Sequence, residues 1–295
     1  MNIHKSLFVI LALLCCSGCS TVSLGYNYAD WLLRYWINGY TSFSSQQKDE
    51  IHLEVDDYMR WHRRQALPEY NAFLQDLNGL VNQDGVLTAG DITHLRTESA
   101  RLYQLTLAPM ILPAAHLMST LDSRQIAELA DTLAYRNSKQ RKHILQGSEQ
   151  ELLEMRAVRH VDLVEKLVGR LSAEQEEKIK AMSLRIPFAT RYYIEQREAK
   201  QARLIALLNN HAGENKIAAL LRQWIDTPEA DRSAQQQLAI IAYESTMNDM
   251  TVRIFELLTT RQKQHLSKII VSYIDDFQKL NPATSSAVYE QTSEK

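Results

Sequence analysis

Apolar side chains recur along this chain at the spacing of a helix face. The clearest run is Leu266, Ile269, Ile270, Tyr273, Ile274 and Phe277, which predicts a helix over residues 261–280 paired with another over 238–257. Ile51, Val55, Tyr58, Met59 and His62 share a face of a helix that ends near Leu67 and Pro68, since the residue before a proline leaves the helical region. Tyr70, Phe73, Leu74, Leu77, Leu80 and Val81 mark the next helix, and a further one over 95–107 meets Pro109 and Pro113. Helices over 149–168, over 173–208 with a kink at Pro187, and over 217–224 follow. The intervening sequence is rich in Leu, Ala, Gln, Glu and Arg, and glycines fall at the breaks. The fold class is therefore all-α: an elongated multi-helix bundle of long antiparallel helices.

Four helix starts share one form. Phe43-Ser44-x-x-Gln47, Leu121-Asp122-x-x-Gln125, Leu171-Ser172-x-x-Gln175 and Leu258-Thr259-x-x-Gln262 each supply an N-cap oxygen, a Gln at N3 able to reach back, and an apolar staple residue. Ser148 with Glu151 is a fifth box. The first two boxes lie 78 residues apart and the last two 87, which suggests two similar halves with a sub-boundary near 147–170. The form resembles the LTxxQ repeat of the Spy and CpxP periplasmic chaperones, a resemblance that implies a helical body able to hold unfolded clients.

One short helix is unusually aromatic. In residues 26–40, Asp30, Arg34 and Asn38 form a polar stripe, and Tyr28, Trp31, Leu32, Tyr35 and Trp36 cover another face. So much apolar surface predicts packing of that face into the core; the alternative is contact with lipid headgroups, where Trp and Tyr are favoured.

The N-terminus sets the compartment. Residues 1–5 are polar and basic, residues 7–14 are apolar, and Ser17 and Gly18 precede Cys19, the layout of a signal peptide too short to span a bilayer. Ser17-Gly18-Cys19 resembles the bacterial lipobox, with Cys16 where Leu is usual. That resemblance implies cleavage after residue 18 and lipidation of Cys19. Ser20, rather than Asp, after the modified cysteine implies transport to the outer membrane, facing the periplasm. The organisation expected is a signal peptide over 1–18, a tether over 19–25, a helical domain over 26–280 and a disordered tail over 281–295.

All three cysteines lie within residues 15–19, so the mature chain holds no internal disulfide. With 45% apolar residues the chain can bury a substantial core, and a net charge near −3 after loss of Lys5 gives no reason to expect nucleic-acid binding. Zinc-helix spacing, phosphate loops and a nucleophile elbow are absent from the sequence, and no metal or cofactor is expected. Residues 82–91 carry Asn, Asp and Gly as a calcium loop does, but Leu80 occupies its first ligand position, so a polar turn is expected. The basic run over 136–143 reads as a solvated face. His62, between Trp61 and Arg63, is the one candidate acid or base, and a hydrogen-bonded structural role is the stronger reading.

Tyr26, Asn27, Asp30, Trp31 and Trp36, together with Trp61, His62, Arg63 and Arg64, resemble an uncharacterised family of Gram-negative lipoproteins, most densely over 24–80. Where that family has an acidic pair after the tryptophan helix, this chain has Asn38 and Gly39. The resemblance implies a helical lipoprotein and supplies no activity. The function expected is a lipid-anchored, non-enzymatic protein that binds another envelope protein. The alternatives are an LTxxQ-type chaperone, whose dispersed methionines would offer adaptable contacts, and an envelope enzyme using His62 with Arg63 or Arg64.

Overall fold

A computed structural model describes residues 25–281. The leader, Cys19, the tether up to residue 24 and the tail from 282 lie outside the described residues. The chain forms α1 (Ala29–Asn38), α2 (Ser45–Trp61), α3 (Leu67–Asn82), α4 (Ala89–Leu107), α5 (Ile111–Ser119) and α6 (Ser123–Leu145). It continues through α7 (Glu149–Val168), α8 (Ala173–Leu184), α9 (Thr190–Asn209), α10 (Glu214–Asp226), α11 (Ala234–Leu257) and α12 (Thr260–Leu280). There is no strand among the described residues, and the molecule is an all-α multi-helix bundle.

Consecutive helix pairs alternate between two cores. The first joins α1, α2, α5, α6, α9 and α10. Ile51, Val55 and Met59 pack with Ala29, Leu33 and Ile37, and through Phe43 reach a cluster of Ile111, Ile126, Leu204 and Ile217. The second joins the other six helices: Phe73, Leu74, Leu102, Ile270 and Ile274 in one part, Val161, Ile179, Ile186 and Met250 in the other, with Leu258 and Leu266 shared. Full burial of a side chain such as Ile179, Ile217 or Ile270 contributes about 1.5–3 kcal/mol. The helices on either side of residues 147–148, α6 and α7, thus belong to different cores.

All five expected capping boxes form, each with reciprocal bonds between N-cap and N3. Two more, Thr88 with Asp91 and Ser233 with Gln236, were not picked out from the sequence. The first of these closes the expected polar turn over 82–91: Asp91 Oδ2 accepts from the Thr88 N–H and hydroxyl, both at 2.7 Å.

Three expectations are corrected. The helix of α2 does not stop at Pro68. It widens into a π turn over His62–Ala66, where the Leu67 N–H bonds to the His62 carbonyl, and continues as α3 with Pro68 in its first turn. Proline lacks the N–H and crowds the carbonyl four residues back, and a five-residue register accommodates both faults.

Residues 173–208 are two helices rather than one kinked helix. α8 ends at Leu184, and the chain turns before α9 begins at Thr190. Arg156, reaching across from α7, donates to the carbonyls of Ser183 (2.7 Å), Ile186 (2.5 Å) and Pro187 (3.3 Å), replacing the partners that an ending helix loses.

The aromatic face of α1 is not in the core. Tyr28, Trp31, Leu32, Tyr35 and Trp36 are 50–70% exposed. The slimmer stripe Ala29, Leu33 and Ile37 faces α2 instead, and Arg34 locks the helix down by pairing with Asp56 of α2 and, at 3.3 Å, with Asp30.

Candidate functional site

Of the residues singled out from the sequence, the structure gathers Tyr26, Trp61, His62 and Arg63 around the π turn. This is where the chain crosses from the first core to the second. The Tyr26 hydroxyl and His62 Nδ1 share a hydrogen bond of 2.7 Å, and the rings of Tyr26, Tyr58 and Tyr70 stand 5.6–5.7 Å from the imidazole. Trp61 meets His62 edge-on, and the Arg63 guanidinium lies 5.5 Å from the centre of the Tyr26 ring. Such contacts between cations and ring faces are favourable where water is excluded.

Burial, with Arg63 adjacent, lowers His62 to about 4, and burial raises Tyr26 to about 12. The pair is therefore neutral across the physiological range. The imidazole Nδ1 is engaged by a phenol that holds its own proton tightly. The arrangement is that of a polar lock within an aromatic pack.

Tyr58 and Tyr70, which the sequence offered only as core positions, complete the lock. The Tyr58 hydroxyl donates to the Thr106 carbonyl at 3.2 Å, and Tyr70 hydrogen-bonds the Thr106 hydroxyl. Thr106 ends α4, just before the 3₁₀ turn Ala108–Met110 that carries the chain back to the first core. The two crossings are thereby tied to each other. Asn27 and Arg64 are exposed, as are Trp31 and Trp36.

A second constellation comes from the capping boxes. The four glutamines are buried and pair off, Gln47 with Gln125 and Gln175 with Gln262. Gln47 Nε2 donates to Gln125 Oε1 and to the Thr120 carbonyl, and Gln125 Nε2 donates to Gln47 Oε1 and the Ser42 carbonyl. Gln175 and Gln262 repeat this, reaching the carbonyls of Leu257 and Arg170. In every case the carbonyl lies five residues before the partner glutamine. Each Oε1 also accepts from its own N-cap N–H. Each amide thus has a donor and an acceptor partner on both sides, and each pair fastens two helix starts distant in sequence.

Beside the first clamp lies an open cleft of about 840 Å³. Its acidic wall is already engaged: Glu128 accepts from the Ser42 N–H at 2.8 Å and the Thr41 hydroxyl at 3.0 Å, which lowers its carboxyl to about 2. The basic run over 136–143 is partly a seam between helices. Arg136 donates to the Gly39 carbonyl and lies 4.0 Å over the Tyr40 ring, and Arg141 pairs with Glu198 on α9. No group of three metal-ligating side chains occurs among the described residues.

Paired helices clamped at their starts, packed in two interleaved cores, define a purely helical domain. The chain belongs to a family of unknown function (DUF6279), whose model matches residues 39–226. No curated protein and no solved structure matches it.

The matched stretch corrects the extent of the resemblance, which centred on 24–80. It begins just after α1 and runs to the end of α10, so it contains Trp61, His62, Arg63 and Arg64 but not Tyr26, Asn27, Asp30, Trp31 or Trp36. It is not a closed packing unit either, because α12, which packs against α3 and supplies Gln262, lies beyond it.

Proposed function

We propose that the protein is a lipid-anchored cell-envelope protein that acts without catalysis, by binding another envelope protein. The lipobox at Cys19 supplies the anchor, and Ser20 directs it to the outer membrane, facing the periplasm. The observation that carries the binding reading is on the helical body. Met155 and Val158 on α7, and Leu238 and Ile241 on α11, are 44–70% exposed, each pair one helical turn apart. Apolar side chains at that spacing are the anchors by which helices engage partners. Burial of all four box glutamines in the clamps, out of reach of any client, favours a dedicated partner over an LTxxQ-type chaperone.

The test is photo-crosslinking in intact cells, with the reactive residue placed at 155 or 238 of the full chain and at the partly exposed polar position Lys180 as control. One adduct of fixed mass at 155 or 238, absent at 180 and abolished by Met155→Glu with Leu238→Glu at unchanged thermal midpoint, is expected. A heterogeneous set of adducts that grows under unfolding stress, or none, would overturn it.

A further inference from the structure

Helix α1 presents an aromatic face that the described residues leave uncovered. Tyr28, Trp31, Leu32, Tyr35 and Trp36 follow the spacing of a single face, and the Trp31 and Tyr35 rings stack with centres 5.6 Å apart. The only charged residues of the helix, Asp30 and Arg34, lie on its polar stripe and pair with each other and with Asp56. The exposed face is therefore apolar at its centre, with phenol and indole groups able to hydrogen-bond at its margins. No helix among the described residues is long and apolar enough to cross a membrane, and α1, about 15 Å long, is suited only to lying along a surface.

We infer that this face rests on the lipid bilayer, at the depth of the headgroups and upper acyl chains. The inference relies on the acylation of Cys19 proposed above. Five residues lie between Cys19 and Gly25, six steps with a reach of at most about 20–22 Å, so an acylated cysteine would hold the first turn of α1 within that distance of the membrane. Tryptophan and tyrosine are the side chains that favour this depth.

The face is too small to be a second copy's principal interface. Its five side chains expose roughly 600 Å², taking 150–250 Å² for a fully exposed aromatic, whereas a stable dimer buries about 800 Å² on each partner. Beyond its C-terminal end stand a half-buried Arg136 and an exposed Lys139. Arg136 grips the Gly39 carbonyl, and its neighbour Tyr135 carries Lys139 4.7 Å over its ring, a placement suited to anionic headgroups.

The experiment uses the protein purified from membranes with whatever modification it carries. It is reconstituted in phosphatidylethanolamine and phosphatidylglycerol vesicles whose acyl chains are brominated near the headgroup. Mass spectrometry of the N-terminal peptide reports acylation separately. The proposal predicts at least twofold quenching of tryptophan emission by the brominated lipid, lost in Trp31→Tyr with Trp36→Tyr and kept in Trp61→Phe with Trp224→Phe.

An acylated protein whose Trp31 and Trp36 remain open to aqueous iodide and untouched by bromine would overturn the inference while leaving the anchor in place. Protection from iodide that appears without lipid and rises with protein concentration would assign the face to a second copy and overturn it as well. Absence of both acyl mass and quenching would remove the anchor and the inference together. Quenching without acyl mass would support the face alone.

Discussion

Replacing Gln262 with alanine removes more than one capping residue. Its Nε2 bonds to Arg170 O and Gln175 Oε1 are both lost. So are the bonds its Oε1 accepts from the Thr259 N–H and from Gln175 Nε2. At about 1 kcal/mol net for each of these four neutral bonds, with a further penalty for polar groups left buried and unpaired, the cost is about 4–5 kcal/mol. An isolated cap is worth only about 1 kcal/mol. Gln175→Ala breaks the same inter-amide bonds from the other side, so the double variant should cost less than the two single variants together, by about 1–2 kcal/mol. Urea unfolding of the wild type, both single variants and the double variant measures this coupling. Asp91→Ala, in an exposed box with no partner across the fold, is the control and should cost about 1 kcal/mol. Single costs near that control, or strict additivity of Gln175 and Gln262, would refute the clamp as a cooperative unit.

Other consequences follow from individual groups. Arg156→Leu should cost about 2–3 kcal/mol in chemical denaturation, chiefly because the buried Ile186 carbonyl loses its guanidinium partner. His160, buried and hydrogen-bonded through Nδ1 to the Ser183 hydroxyl, is lowered to about 4, first by burial and then by Arg156. Between about pH 4 and 6.5 the unfolded chain then binds the extra proton, so stability rises with pH across that window and is lost as pH falls through it. His160→Gln should reduce the slope of stability against pH there by up to about 1.4 kcal/mol per unit, and an unchanged slope would show that His160 is not the titrating group. Gly169 sits at φ 81° and ψ −168°, and a Cβ there would meet nothing closer than the His265 ring at 3.7 Å. Gly169→Ala should therefore lower stability by about 1–3 kcal/mol through backbone strain alone, read as a shifted urea midpoint at constant m.

What could be read from residue order depended on the range of the interaction. Ser44, Asp122, Ser148, Ser172 and Thr259 announced their helices because a capping box is complete within four residues. The pairing of the glutamines was not legible, since Gln47 and Gln125 form identical boxes whether or not they meet. The similar spacings of 78 and 87 residues were its only trace. The break before α9 was hidden for a comparable reason: the group that caps α8 is Arg156, on another helix. In α1 the periodicity correctly separated the faces but could not say which was inner. Ala29, Leu33 and Ile37 fit closely against Ile51 and Val55, where the bulkier aromatic side would hold the helices apart. For the site, His62 was identified and its bland role was the stronger reading. Tyr58 and Tyr70 were missed as its partners because both also satisfy the core pattern.

The π turn at His62–Ala66 also fixes a phase. An α-helix advances about 100° per residue, and a π turn holds one residue more than the α path it replaces. Ile51, Val55 and Met59 address the first core, and Phe73, Leu74 and Val81 the second, along what is otherwise a single rod. Deleting one residue, for instance the exposed Gln65, would let the rod close into uninterrupted α-helix. Four α residues turn through nearly the same angle as the five of the π turn, so the apolar side of α3 would still face α12, whereas closing into α-helix with every residue kept would swing it about 100° away. The π turn thus absorbs one supernumerary residue while keeping both faces on their cores, so the span from Met59 to Phe73 should tolerate the loss of one residue far better than the gain of one.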